Sequence, residues 1–306
     1  MDLNHGFIFE QQPKTLLRVT GEDVFGFLQG QFTNELRQPP GSATYGLWLN
    51  QKGRVVADST VLRVAENEFL LLSANTPVSE LQQRLEDYIV ADDVVLRDET
   101  EAAGGLVIGG EACGAALEAV FGAVPLAGHF VRSGERMIYR GQRLRSENYE
   151  VFGSASSLTG GWREQLAQRG FAVIGLDEME RRRIADGVPA VPQDLGLTDL
   201  PNEGGLDESA ISYTKGCYLG QEVMARLKNL GQVRRRLHVM RGEGTRPQPR
   251  TALYQGQKKS GELRSVAGEE NGFVAFAMLS LINHDPKAGF SFTPDGEPAV
   301  WIGTHE

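Results

Sequence analysis

The sequence predicts an α+β protein: strands and helices mix through most of its length, and a small β-barrel closes the chain. Three observations carry this reading. Before about residue 190, apolar residues recur at helical spacing in several segments, with strand-like runs between them. After about residue 232 only short strand-like runs remain, separated by Gly-rich turns. The 306 residues, 41% hydrophobic and 23% charged, have ordinary globular proportions and exceed one typical domain of ~100–200 residues. The expected division is residues 1–232 as two interleaved α+β subdomains and 233–306 as the barrel.

In chain order, a first helix is expected over 21–36, where Thr20 and Asp23 have capping-box spacing and Phe25, Leu28, Phe32 and Leu36 share a face. Strands follow at 44–49, 55–64 and 68–73, with Ala65-Glu66-Asn67 as a hairpin turn. Pro77 opens a second helix whose Val78, Leu81, Leu85 and Ile89 lie on one side. Short strands at 94–97 and 106–109 precede an Ala-rich helix at 112–121. Residues 136–140 and 143–152 read as a strand pair across Gly141. Helices at 158–169 and 177–186 come next, the second stopped by Gly187 and Pro189. Residues 187–209 form a Pro/Gly/Asp-rich connection longer than an ordinary loop, a length often tied to function. The barrel strands are expected at 234–241, 251–254, 260–267 and 272–279.

Composition narrows the function. With 31 Lys+Arg against 40 Asp+Glu the net charge is −9, which argues against a protein that coats nucleic acid or anionic membrane with its whole surface. Two cysteines, Cys113 and Cys217, exclude a disulfide framework. The first twenty residues have neither a signal-peptide core nor an Arg-rich transit pattern, and no apolar run approaches the ~18 residues of a membrane span. A soluble, cytoplasmic protein is expected.

The chemistry concentrates in Lys215-Gly216-Cys217-Tyr218-Leu219-Gly220-Gln221-Glu222. Glycines on both sides permit a backbone turn that presents a side chain. A short helix over 221–228 places Cys217 just ahead of a helix N-terminus with Lys215 nearby, and both features favour the reactive thiolate. The alternative reading makes Cys217 a small buried hydrophobe. Cys113, in an Ala/Gly-rich helix, reads as structural. Two distant cysteines fall short of the ~4 ligands of an iron–sulfur cluster, and His5, His129, His238, His284 and His305 show no ligand spacing. A thiolate shared with a partner's cluster remains open. No phosphate-binding loop and no serine nucleophile elbow is present. Between Glu222 and Glu243, Arg226, Lys228, Arg234, Arg235, Arg236 and Arg241 form an acid-free basic stretch. It suits a carboxylate, a phosphate or an acidic partner, or else a charge-protected strand edge. Arg181-Arg182-Arg183 lie on a helix and diverge, with one expected to face inward.

The Lys215–Glu222 segment resembles the K-G-C-[YF]-x-G-Q-E signature of the YgfZ family of folate-binding proteins, which is related to the glycine-cleavage T-protein, an aminomethyltransferase. The likeness extends along the chain. It takes in Val19-Thr20-Gly21-Glu22-Asp23, Phe27-Leu28-Gln29-Gly30-Gln31 with Asn34, and Lys52-Gly53-Arg54 through Asp58. Further on come Arg183-Ile184, Gly187, Pro189, Asp194, Leu200-Pro201 and Glu203, then Ser260-Gly261-Glu262-Leu263-Arg264-Ser265. The resemblance implies T-protein-like subdomains around a central cavity for tetrahydrofolate. It also implies a role in assembling or repairing iron–sulfur clusters of client or carrier proteins, including tRNA-thiolating enzymes. On this basis Glu150, Arg183 and Asp58 are the candidate folate residues. Cys217, Lys215, Gln221 and Glu222 are the candidate reactive group, with Cys217 at the rim of the cavity. Where the family commonly has R-I-E-x-G this chain has Ala185; Asp186 lies one step along, ~100° around a helix. The paired acids of the T-protein's strand appear here as Ala57-Asp58, and Cys217 stands where the T-protein has an acid. The alternatives are a tetrahydrofolate-dependent one-carbon transferase using Asp58 or Glu150, and an RNA-binding module using residues 226–241. Net acidity and the lack of an RNA-recognition motif weigh against the last.

Overall fold

The computed structural model describes residues 2–282 and 285–303, with the backbone alone of Leu230; His284 and His305 lie outside the described residues. The first elements are β1 (Phe7–Glu10), β2 (Thr15–Thr20), α1 (Val24–Gln31), β3 (Ala43–Leu49), β4 (Val55–Ala65), β5 (Glu68–Ser73), α2 (Val78–Glu86) and β6 (Val95–Asp98). Then come β7 (Ala103–Gly109), α3 (Cys113–Phe121), β8 (Phe130–Ser133), β9 (Arg136–Arg140), β10 (Asn148–Ser154), α4 (Trp162–Ala167), β11 (Ala172–Val173) and α5 (Leu176–Ala185). A short 3-10 turn at Pro201–Glu203 leads to α6 (Gln221–Leu230). The chain ends in β12 (Arg235–Glu243), β13 (Ala252–Gln255), β14 (Lys258–Glu269), β15 (Gly272–Ser280) and β16 (Val300–Ile302).

Two sheets face each other, and alternation along their strands says why. In the antiparallel sheet β3-β4-β5-β2-β6, Leu17, Val19, Phe69 and Leu71 bury one face against α1 and α2 through Val24, Leu28, Leu81 and Leu85. Their neighbours Leu16, Leu70 and Leu72 point the other way. The sheet β11-β1-β7-β10-β9-β8 behaves likewise. Ile8, Ile108, Ile138 and Val151 meet Leu117 of α3 and Leu166 of α4 on its outer face. Phe130, Tyr139 and Phe152 turn inward to join Leu16, Leu62, Leu70 and Leu72. Strands apolar on both faces are thus buried between a helix layer and a second sheet.

The C-terminal strands form a curled antiparallel half-barrel, β13-β14-β15-β12-β16, around Met240, Leu253, Leu263, Phe273 and Leu279. Phe290 bridges to Val300 on β16 and Ser291 to Tyr254 on β13, so one segment links both edges. Helix α5 packs on this sheet through Ile184 against Val239, Ala267 and Phe276.

Several expectations need correction. Helix α1 begins at Val24 and no capping box forms; the Asp23 carboxylate accepts the Asp93 backbone N–H, and that of Asp93 accepts the Glu22 N–H. Phe32 and Leu36 lie past the helix but in the same core. Strands β1, β2, β8, β11 and β16 were not foreseen. The 143–152 strand starts only at Asn148, because residues 141–147 form a loop that Asn148 ties back through Nδ2 to the Leu144 and Ser146 carbonyls. Gly141 leaves room there: a Cβ would stand 2.0 Å from Asn148 Oδ1, so the amide that ties the loop back would have to shift.

Candidate functional site

Two of the candidate acids point into the same space between the facing sheets. On β4, Ala57 and Val61 belong to the helix-covered core, so Asp58 and Leu62 face inward. On β10, Tyr149 and Val151 face outward, which leaves Glu150 and Phe152 inside. Between the sheets lies a cavity of about 20 Å³, lined in part by Gln11, Ser73, Tyr139, Arg143 and Glu150. That is room for about one water. The Glu150 carboxylate accepts the Tyr139 hydroxyl at 3.0 Å on Oε2 and meets Arg143 Nε at 3.5 Å on Oε1. Arg143 Nη1 donates to Gln11 Oε1 at 2.5 Å, and the Gln11 amide is fixed by the Ala74 carbonyl. Asp58 sits one hydrogen bond behind the cavity. Its Oδ1 accepts the hydroxyls of Ser73 at 2.7 Å and Thr76 at 3.2 Å, and its Oδ2 accepts that of Tyr45 at 3.1 Å. Burial raises the Asp58 pKa, against the pull of these donors and of the Arg143 charge. Burial likewise pushes the Tyr139 hydroxyl well up, and the Glu150 charge adds to the effect. A carboxylate and an amide oxygen converging on one planar N–H group suit a flat ring with an amine edge, although the cavity has no room for such a ring while Arg143 is seated. Gln11, Tyr139, Arg143, Ser73 and Thr76 were not anticipated. The signal for Arg143 was the Gly141/Asn148 bracket around it.

The cysteine loop is built on the end of α1. Ser212 N–H donates to the Thr33 carbonyl and Leu219 N–H to that of Gly30. Between them Lys215 turns inward, and its ammonium donates to the carbonyls of Gln29 at 2.9 Å, Phe32 at 2.6 Å and Asn34 at 2.8 Å. A cation at the C-terminal end of a helix satisfies carbonyls that lack intrahelical partners. Burial lowers the Lys215 pKa to about 8. Tyr218 is also buried, so Gly216 and Cys217 form an exposed apex between two anchored residues. Gly220 caps α6 at φ +85°, where a Cβ would come within 2.9 Å of the Asn50 carbonyl oxygen; only glycine fits. Gln221 and Glu222 open α6, Glu222 exposed in its first turn. The Cys217 thiol is free and exposed, as a reactive group requires. Lys215, expected as a charge favouring the thiolate, instead holds the loop. Cys217 does not line the interlayer cavity, so the expected placement at its rim is corrected. Cys113 is buried, and desolvation pushes its thiol up to about 11, in keeping with a structural residue.

Arg183 takes a structural place, not a ligand-facing one. A guanidinium has five N–H donors, and here all are engaged: two by Glu180, and one each by Asp194, the Val188 carbonyl and the Ser265 hydroxyl. Asp194 in turn accepts the Ser265 N–H and hydroxyl, tying α5 and the 187–209 connection to β14. Asp186, beside Ala185, accepts the Arg145 N–H. Arg181 and Arg182 both pair with Glu178. The basic stretch does not converge on one groove. Arg235 bridges Asp199 and Glu203, Arg241 pairs with Glu269, and Lys228 stands 4.1 Å over the Tyr213 ring. Arg226, Arg234 and Arg236 stay exposed. Among the described residues no group of three or more His, Cys, Asp or Glu could hold a metal, and no helix is long and apolar enough to cross a membrane.

Comparison with known proteins bears on this arrangement. The GCVT N-terminal domain family model matches residues 4–215. The human mitochondrial iron–sulfur cluster assembly factor IBA57 is 31% identical over 252 residues, 76% of this chain and 65% of that protein. The chain therefore spans just under two-thirds of the human relative's length. The tRNA-modifying protein YgfZ of Serratia proteamaculans is 26% identical over 237 residues, 76% of this chain and 69% of its own. The glycine cleavage system aminomethyltransferase T of Bartonella henselae superposes with a TM-score of 0.79 at 16% identity, covering 98% of this chain and 85% of its own, which establishes the T-protein fold. With the family model spanning more than half its length and these relatives beside it, the chain belongs to the GCVT family and is of its YgfZ/IBA57 type.

Proposed function

We propose that this protein is a folate-binding accessory factor in the assembly or repair of iron–sulfur clusters, acting through Cys217 toward client or carrier proteins that include tRNA-thiolating enzymes. The observation that carries the proposal is the free thiol raised at the apex of a loop anchored by Lys215 and Tyr218, in a chain of YgfZ/IBA57 type. One exposed thiol is a partial ligand set: it can hold a cluster or sulfur species only together with groups from another molecule. Glu150, Gln11 and Tyr139 supply the polar contacts for a pterin head group, and the Phe152 face supplies an apolar wall. A reducing compartment, which we take to be the cytoplasm, keeps such a thiol available. The transferase alternative fares less well, because Asp58 is enclosed by three hydroxyls and the family resemblance puts Cys217 where the T-protein has an acid. The test is complementation of a strain lacking the protein. Cys217→Ser, a change at an exposed position that leaves the fold intact, abolishes client enzyme maturation. Full complementation by that variant refutes the proposal.

A further inference from the structure

We infer that Arg143 occupies the ligand seat at Glu150 with its own guanidinium, so that the head group of a folate binds by displacing it. The inference rests on the folate reading above and adds to it a residue that sets affinity and selectivity.

Arg143 belongs to the 141–147 loop, which Gly141 and Asn148 hold out of the strand pair. Its guanidinium reaches back between the sheets, with Nη1 on Gln11 Oε1 at 2.5 Å and Nε facing Glu150 Oε1 at 3.5 Å. The side chain is 12% exposed and that of Glu150 is 19% exposed, so the pair closes the cavity rather than lying on the surface. A pterin carries its amino group on a ring carbon between two nitrogens, which is a cyclic guanidine. Its amino edge and an arginine side chain present the same flat pair of N–H donors. The acceptors that hold Arg143 are therefore those such a ring requires. With only about 20 Å³ left over, ring and guanidinium cannot share the space. The contrast with Arg183 is direct. There all five donors are bound by Asp194, Glu180, Val188 and Ser265 in a permanent tie, whereas the direct contacts of Arg143 are one amide oxygen and one long ion pair on a loop, with the Asp58 carboxylate acting on it only at longer range. Entry to the seat thus selects for molecules that replace a guanidinium in kind.

Occupancy by Arg143 divides the apparent affinity by the fraction of molecules with the seat open. If Arg143 is seated in roughly nine molecules of ten, its removal tightens binding about tenfold. The experiment is anaerobic calorimetric titration of tetrahydrofolate into the full-length protein, Arg143→Ala and Arg143→Lys, with and without methylguanidine in the buffer. Arg143→Ala is expected to bind about tenfold or more tightly than the parent. Methylguanidine is expected to weaken binding to Arg143→Ala, by refilling the seat, and to weaken the parent far less, because there the tethered guanidinium already competes for it. Arg143→Lys, which keeps the charge but lacks the fork, is expected to fall between the two, and it decides the matter should the alanine variant not fold. Weaker or unchanged binding by the variants, with clear binding by the parent, overturns the inference while the folate reading stands; Arg143 is then a ligand contact or a bystander. No binding by the parent or by either variant overturns both.

Discussion

Replacing Lys215 by methionine separates its structural part from any chemical one. Methionine keeps the unbranched stem and removes only the ammonium. That ammonium serves the carbonyls of Gln29, Phe32 and Asn34 at 2.6–2.9 Å and is buried. Hydrogen bonds to charged groups are worth about 1.5–3 kcal/mol each, and breaking a buried charged arrangement costs about 3–5 kcal/mol in all. Against this stands the desolvation that brings Lys215 down to about 8, which the variant regains. The net expectation is a loss of about 2–3 kcal/mol. With about 2.1 cal/mol/K of unfolding entropy per residue, a 306-residue chain shifts by about 1.6 °C per kcal/mol, so the melting midpoint drops by about 3–5 °C. The loss should be visible locally as well, as faster reaction of Cys217 with an aromatic disulfide at a temperature where both proteins are folded. The effect of pH has a definite sign. The folded lysine gives up its proton near pH 8 and the unfolded one near 10.5, so between these values the unfolded chain binds more protons. Stability of the parent then rises with pH while the methionine variant is unaffected, and the gap widens above pH 8. Midpoints within about 1 °C of each other at pH 7, together with an unchanged thiol rate, would refute the assignment of Lys215 to the loop's architecture and return it to the chemistry of Cys217.

Two further outcomes follow from burial. Asp58 has its pKa raised above 3.8 by desolvation, so as pH rises from there the unfolded chain loses the proton first. The parent should lose stability relative to Asp58→Asn across that window, seen in urea midpoints between pH 4 and 7, and a slope of the opposite sign contradicts the buried placement. Iodoacetamide at pH 8 followed by peptide mass mapping should modify Cys217 and leave Cys113, which is enclosed and pushed up to about 11; equal labelling of both would show that α3 does not bury its cysteine as described.

Period-two and helical patterns made much of the fold readable. The strands expected at 68–73 and 136–140 form over those residues, and the barrel strands lie within two or three residues of expectation. The edges were less visible. β1 is four residues long and its partners β7 and β11 are far away in the chain, so nothing local marks it. The glycines around Cys217 were legible because a turn is a local demand, and Gly220 meets it with φ +85°.

Orientation was what the chain could not disclose. Lys215 stands two places from Cys217 in sequence, and proximity alone suggested that its charge served the thiol. The acceptors that claim it are carbonyls from residues 29–34, at the C-terminal end of a helix on the other side of the chain's length. Arg183 repeats the lesson with Ser265, and Arg143 with Gln11: each is a long, flexible cation whose partner is fixed by tertiary packing. Asp58 and Glu150 lie at the other extreme. Each is assigned to the inner face of its strand by the alternation of its neighbours, since Ala57 and Val151 must point to their own helix layers. Once the two sheets are seen to stack, both acids must enter one space whatever their side chains prefer. A short side chain on a regular strand therefore carries its direction in the sequence. A long cation carries only its charge, and the backbone carbonyls and carboxylates of distant elements decide whether that charge does chemistry or fastens a loop.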